Sequence, residues 1–127
     1  MGLFNFFKSD KKIKAVEINE QNFNQEIAES SQPILLDFYA TWCQPCQVMH
    51  SLVNRMVKEN QDLMQTLKVA KVDIDANPKI SRMFGIQSVP TLLFIYDKKV
   101  LDKHNGLIPY QNLVGKCKDF AEDFIEE

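Results

Sequence analysis

Cys43 and Cys46 stand three residues apart in "TWCQPCQV", and they are two of only three cysteines in a chain of 127 residues. Three chemistries use that spacing: a disulfide staple, a metal site, and a redox centre that opens and closes a disulfide. Three cysteines in a chain of this length do not make a disulfide scaffold. A zinc site wants four ligands, commonly a second C-x-x-C pair or two histidines. Here only His50 follows at helical spacing, and Cys117 is far along the chain. Haem attachment needs a histidine directly after the second cysteine, where Gln47 stands. The flanking pattern favours redox chemistry. An apolar run precedes Cys43 and a helical pattern follows it, so Cys43 opens a helix. The free N–H groups and the dipole at a helix start favour an anion. A thiol there should ionise below the ~8.5 of a free cysteine. Cys46 lies one turn on, within reach of Cys43. Pro45 sets the first-turn backbone and lacks only an N–H that would be orphaned anyway.

The elements that must position this pair follow from the apolar pattern. Ile13 to Ile18 alternates loosely and predicts a first strand. Asn19 suits a helix cap, with Phe23 and Ile27 on one face of the helix after it. "SSQP" breaks the chain before "ILLDFYA", the run expected of a central strand buried on both faces, interrupted by one acid, Asp37. A helix from about Cys43 to Lys58 carries an apolar stripe of Val48, Met49, Leu52, Val53, Met56 and Val57. Leu67 to Ile74 predicts another strand. Asp75 to Pro78 caps a short helix that Gly85 closes. "TLLFIY" and "KVLDKH" form a hairpin across Asp97-Lys98. A last helix after Gly106 buries Leu113, Cys117, Phe120 and Phe124, which reads Cys117 as a structural thiol, the alternative being a regulatory or intermolecular one. The order β-α-β-α-β-α-β-β-α predicts an α/β fold: a mixed sheet with a parallel core, an antiparallel C-terminal hairpin, and helices on both faces.

Composition fits one globular domain, with 45% hydrophobic and 25% charged residues. A formal net charge of -2 with mixed signs gives nucleic-acid binding no electrostatic basis. No stretch is long and apolar enough to be a transmembrane segment. Residues 1–12 read as a short N-terminal arm and 13–127 as the domain. Phe4, Phe6 and Phe7 give the arm an apolar face that packs on the domain or touches a membrane or partner. The apolar run is too short for a signal-peptide core, and Phe6 stands where a myristoylation start wants Ser or Thr. The expected location is cytoplasmic, where a stable disulfide is disfavoured and a catalytic one is not.

From about Ile13 to Ile125 the chain resembles the thioredoxin family. The likeness rests on "LLDFYATWCQPC", "VAKVDIDANP", "FGIQSVPTLLFI" and "NGL" together, not on the C-x-x-C alone. It implies the thioredoxin fold and a protein-disulfide reductase that cycles between dithiol and disulfide without a bound cofactor. By the same resemblance Cys43 is the attacking thiolate and Cys46 the resolving thiol. Asp37 is the buried acid that accepts the Cys46 proton, and Lys71 lies near it and moderates its pKa. An acid among apolar neighbours has its charged form disfavoured, which raises its pKa toward the useful range. The competing reading makes Asp37 a structural acid paired with Lys71. Pro90 matches the family's cis-proline, which lets the Val89 backbone pair with an extended substrate. Trp42, Pro45, Val89, Pro90, Gly106 and Leu107 line the substrate contact; for Trp42 the alternative is a core aromatic. The implied partners are disulfide-containing proteins and a thioredoxin reductase or similar electron donor, and a monomer is expected.

The chain departs from the family at several points. Gln44 replaces a glycine between the cysteines, where the intervening residues tune redox poise. Tyr39 replaces a common tryptophan. Ser51 stands where a proline usually kinks the active-site helix, so a straighter helix is expected. Residues 60–67 form a longer connection. His50, four residues after Cys46, is expected on the inward face toward Asp37, where it would share proton relay or shift the Asp37 pKa. The bland alternative is a partly exposed histidine. His104, at a strand end, reads as a surface residue. Two other functions stay open: an isomerase or oxidant whose potential Gln44 raises, and an interaction module that has no need of its cysteines.

Overall fold

In the computed structural model, the described residues, 12–125, form five strands and three α-helices. In chain order these are β1 (Val16–Ile18), β2 (Ile34–Tyr39), α1 (Gln44–Glu59), β3 (Lys68–Asp73), α2 (Pro78–Met83), β4 (Thr91–Tyr96), β5 (Lys99–Asn105) and α3 (Tyr110–Glu122). A π-helical turn, Asn24–Ala28, follows β1, and a 3-10 turn, Leu63–Gln65, follows α1. The expected arm over 1–12, with its three phenylalanines, lies outside the described residues apart from Lys12.

The sheet runs β1-β3-β2-β4-β5. β3 is parallel to both β1 and β2, while β4 is antiparallel to β2 and to β5. The near-continuous apolar run of β2 thus sits mid-sheet, where both faces are covered and alternation is not required. On one face, Leu35, Val69, Leu92 and Phe94 meet Met49, Val53, Met56 and Val57 of α1 and Leu113 and Cys117 of α3. On the other, Leu36, Phe38, Ala70, Val72, Leu93 and Ile95 meet Ile27 of the π turn and Ile80 of α2. Phe84 joins that layer edge-on to Phe23 and Phe38, with ring centroids 6.0 and 5.6 Å apart. Each fully buried Leu, Ile or Phe here is worth about 1.5–3 kcal/mol relative to exposure. One polar row crosses the α1 face: Glu17 opposite Lys71, and Lys71 opposite Asp37. Directly opposed residues on neighbouring strands share a face, so the row lies on the α1 face, with Lys71 and Asp37 buried and Glu17 exposed on the edge strand.

The differences from the pattern reading are local. β1 begins at Val16, not Ile13, because the Ile13 backbone is paired by a side chain: its N–H donates to Gln61 Oε1 at 2.8 Å and its carbonyl accepts from Gln61 Nε2 at 2.9 Å. Asn19 does cap the next segment, its Oδ1 accepting the N–H groups of Gln21 and Asn22. That segment closes as a wide π turn, with the Glu29 N–H donating to the Asn24 carbonyl at 2.8 Å. Val48 is 47% exposed and leaves the apolar stripe of α1, whose buried positions are Cys46, Met49, Val53, Met56 and Val57. α1 runs unbroken through Ser51, whose Oγ donates to the Gln47 carbonyl. On α3 the buried positions are Leu113, Cys117 and Ala121, each four apart, which leaves Phe120 and Phe124 half-buried at its edge. No helix of the described residues is long and apolar enough to cross a membrane.

The β4–β5 hairpin turns on Asp97 and Lys98, both in the left-handed region with φ of 52° and 66°. A two-residue turn of this hand matches sheet twist, but a side-chain-bearing residue resists it and glycine does not. Lys98→Gly should therefore raise stability by up to about 1 kcal/mol, since relief of the turn outweighs the extra freedom of the unfolded chain. A chemical-denaturation midpoint that moves down instead would show that the turn carries no such strain.

Candidate active site

The site is built where β2 hands the chain to α1. The Cys43 N–H donates to the Ala40 carbonyl at 3.2 Å, which closes a tight turn after the strand. Cys43 is extended (φ −88°, ψ 112°) and caps α1, its Sγ accepting the Cys46 N–H at 3.2 Å. Gln44 and Pro45 fill the exposed first turn. Cys43 and Cys46 are disulfide-bonded with their Cα atoms 5.2 Å apart, within the ordinary range for a disulfide. Both residues are buried, at 4% and 2% exposure. Ala40, with Tyr39, Ile74 and Val89 packed alongside, makes the apolar wall around them.

The loop before β4 faces this wall. Cys43 Sγ lies 3.8 Å from the Val89 carbonyl oxygen, and the Val89–Pro90 bond is cis. Pro90 is buried and its carbonyl accepts the Gly106 N–H at 2.8 Å. Gly106 takes φ of 85°, a conformation suited to glycine, and its hydrogen bond sets it beside Pro90. Leu107 is exposed. Trp42 is 70% exposed, with its Nε1–H donating to Asp75 Oδ2 at 2.8 Å, so it is no core aromatic. His104 is half-buried, not a plain surface residue, and its Nε2 lies 3.1 Å from the Leu107 carbonyl.

Asp37 is 1% exposed, and neither carboxyl oxygen has a hydrogen-bond partner among the described residues. Burial pushes its pKa up to about 7; Lys71 pulls part of that shift back, and Glu17 adds to it. Lys71 is also buried, which lowers its pKa against the opposing pull of Asp37 and Glu17. No ion pair joins Lys71 to Asp37 among the described residues. The amine instead reaches α1, with Nζ 2.6 Å from His50 Nδ1 and donating to Asn54 Oδ1 at 2.8 Å. His50 therefore does not turn inward to Asp37. It sits on the exposed side of α1 and touches Lys71, because Met49 and Val53 take the core-facing positions of that turn. Burial and the Lys71 charge both lower the His50 pKa. Tyr39 donates its hydroxyl to Glu17 Oε2 at 2.7 Å. Cys117 is fully buried in the α3 layer, and burial pushes its thiol up to about 12. Among the described residues, no group of three or more His, Cys, Asp or Glu side chains is placed to hold a metal ion.

Two members of this cluster were not singled out from sequence. Asn54 follows His50 by one helical turn, a signal present in the spacing. Glu17 becomes visible only once β1 is known to lie against β3.

Comparison with known proteins gives a consistent result. The thioredoxin family model matches residues 14–121. The chain is 36% identical over 99 residues to thioredoxin 1 of Synechococcus elongatus, covering 78% of this chain and 90% of that protein. It is 35% identical over 106 residues to the thioredoxin of Chlorobaculum thiosulfatiphilum, covering 84% and 94%. A third relative, the thioredoxin of Buchnera aphidicola, is 31% identical over 113 residues, covering 89% and 98%.

The burial of Asp37 leaves a signature in stability. Its folded pKa, about 7, lies above its ordinary 3.8, so the native state holds the proton more tightly than the unfolded chain does. That contribution is complete below the unfolded value and is lost as pH rises through the folded one. Asp37→Asn should therefore gain stability over the parent at about pH 8, on the order of a few kcal/mol, and lose that advantage near pH 4. Denaturation of both oxidised proteins at the two pH values checks this; an equal gap at both would mean that Asp37 does not titrate as the structure implies.

Proposed function

Since the chain belongs to the thioredoxin family and is a thiol–disulfide oxidoreductase, we propose how its residues divide the reduction of a protein disulfide. Cys43 is the nucleophile. As its thiolate it attacks one sulfur of a substrate disulfide; that S–S bond breaks and the second substrate sulfur leaves as a thiolate, which takes up a proton. Cys46 then gives its proton to Asp37 and attacks Cys43 Sγ. The mixed disulfide breaks, the first substrate sulfur leaves, and the Cys43–Cys46 disulfide forms. Two electrons pass from the dithiol to the substrate. A thioredoxin reductase or similar donor returns them.

The observation that carries this reading is the Cys43–Cys46 disulfide at the cap of α1, with Cys43 Sγ accepting the Cys46 N–H. A donor aimed at sulfur favours its anionic form, and the helix dipole adds to that. The Asp37 pKa, raised to about 7, suits a proton acceptor that must take a proton and give it up again near neutrality. Lys71 tempers that basicity through space. An extended substrate segment pairs with the Val89 backbone and rests on Trp42, Pro45, Pro90, Gly106 and Leu107. The protein works as a monomer in a reducing cytoplasm, where donors keep the pair as a dithiol.

Cys43→Ser should abolish reduction of insulin disulfides with dithiothreitol as donor. Cys46→Ser should keep the first attack and accumulate a covalent adduct with the substrate, visible by non-reducing electrophoresis. Adduct formation by Cys43→Ser and none by Cys46→Ser would reverse the two roles.

A further inference from the structure

Asp37 and Lys71 face each other across neighbouring strands beneath α1. Opposite charges so placed ordinarily pair, and a bare ammonium at hydrogen-bond distance lowers a carboxyl pKa by about 1–3 units. Here the pair does not form. Both Asp37 oxygens are without hydrogen-bond partners among the described residues, while the Lys71 amine is engaged at 2.6 Å by His50 and at 2.8 Å by Asn54. His50 and Asn54 are exposed residues one turn apart on α1. They stand over a groove of about 460 Å³ that Val16, Glu17, Val57 and Lys58 also line.

We propose that His50 and Asn54 form a clamp that draws the Lys71 amine away from Asp37, leaving the buried carboxyl unpaired and hence a stronger base. The inference rests on the reading of Asp37 as the acceptor of the Cys46 proton. His50 and Asn54 are positioning residues in it, since they act through Lys71.

The chemistry of the contact fixes its conditions. The Lys71 ammonium has only donors, so the ring nitrogen nearer to it, Nδ1 at 2.6 Å against 3.3 Å for Nε2, presents the lone pair, and Nε2 carries the proton. A doubly protonated imidazole has no lone pair and repels the ammonium, so protonation of His50 opens the clamp. Burial and the Lys71 charge both hold His50 in its neutral form. The other groups around Lys71 do not replace the clamp. Glu17 on β1 accepts from the Tyr39 hydroxyl at 2.7 Å. Lys58 on α1, and Lys12 and Lys14 before β1, line the same groove and bring only like charge. Glu17 also stands directly opposite Lys71, but with its carboxylate held by Tyr39, Asp37 on β2 is the opposite acid that has no hydrogen-bond partner among the described residues and that the freed amine can approach.

The test follows Asp37 itself, by carboxyl-carbon NMR of aspartate-labelled oxidised protein titrated through the acid and neutral range. With His50→Ala and Asn54→Ala combined, the amine is free to pair with Asp37, and its midpoint should fall by about one pH unit or more, a tenfold gain in acidity. His50→Ala alone should shift it part of the way, and His50→Gln, which restores an acceptor, should reverse that shift. In a Lys71→Met background the double substitution should do nothing. An unmoved midpoint in the double variant, or the same shift without Lys71, overturns the clamp. The pH profile of mixed-disulfide resolution in the same variants separates the two ideas. A midpoint that moves while resolution does not leaves the clamp standing and removes Asp37 as the proton acceptor.

Discussion

A helix begins with N–H groups that have no partner in the helix, and at the start of α1 the Cys43 sulfur accepts one of them, that of Cys46. Much of the site depends on this contact. It ends the turn out of β2, sets Cys46 one turn behind Cys43, and holds both sulfurs within bonding distance. It also ties helix formation to redox chemistry, because a thiolate accepts that N–H more strongly than a thiol does. Pro45 in the same turn removes another donor that would have needed a partner. The contact holds its place because its supports are rigid. β2 is hydrogen-bonded on both sides, and α1 is fastened to the sheet by Met49, Val53, Met56 and Val57.

Directly behind this junction the core carries a charge-bearing row where packing alone would place apolar residues. Glu17, Lys71 and Asp37 lie across three strands on the α1 face, Lys71 and Asp37 buried and Glu17 exposed on the edge strand. A carboxyl with no partner in such a place works against the folded state once it ionises, and local rules of core design are broken there. The residues around the row limit the damage by moving charge outward. Lys71 turns to α1 and Glu17 turns to Tyr39. What remains is a buried acid without a hydrogen-bond partner among the described residues, its pKa near neutrality. The destabilisation and the capacity to exchange a proton at physiological pH have the same cause, which is burial without a partner.

Much of this organisation is legible in the sequence. The run "ILLDFYA" announces a mid-sheet strand because burial on both faces abolishes alternation, and one acid within it stands out for the same reason. The spacing of Cys43 and Cys46, with Pro45 between them, marks a helix start. Asn19 and Gly85 mark local boundaries by chemistry that needs no tertiary partner. What was not legible depends on neighbours far away in sequence. A helical period put His50 on the face of Cys46, but the period is too coarse to separate a core position from the rim one residue over. The meeting of Lys71 with His50 and Asn54 requires the strand order and the docking of α1 on it. The late start of β1 is set by a side chain, Gln61, standing in for a strand. Val48, expected in the stripe, is exposed for a similar reason: the sheet selects a narrower stripe than the apolar pattern offers.

The direction of electron flow is set by how strongly the start of α1 favours the thiolate over the disulfide. Gln44, exposed and uncharged between the cysteines, is the departure that bears on it. The reduction potential of the Cys43–Cys46 pair, measured by equilibration against defined thiol–disulfide buffers, reads that balance directly. A reductase is expected near ~−270 mV, the figure for thioredoxins in general and borrowed from that family. A value at or above ~−180 mV would contradict a reductase and place the protein with the isomerases and oxidants.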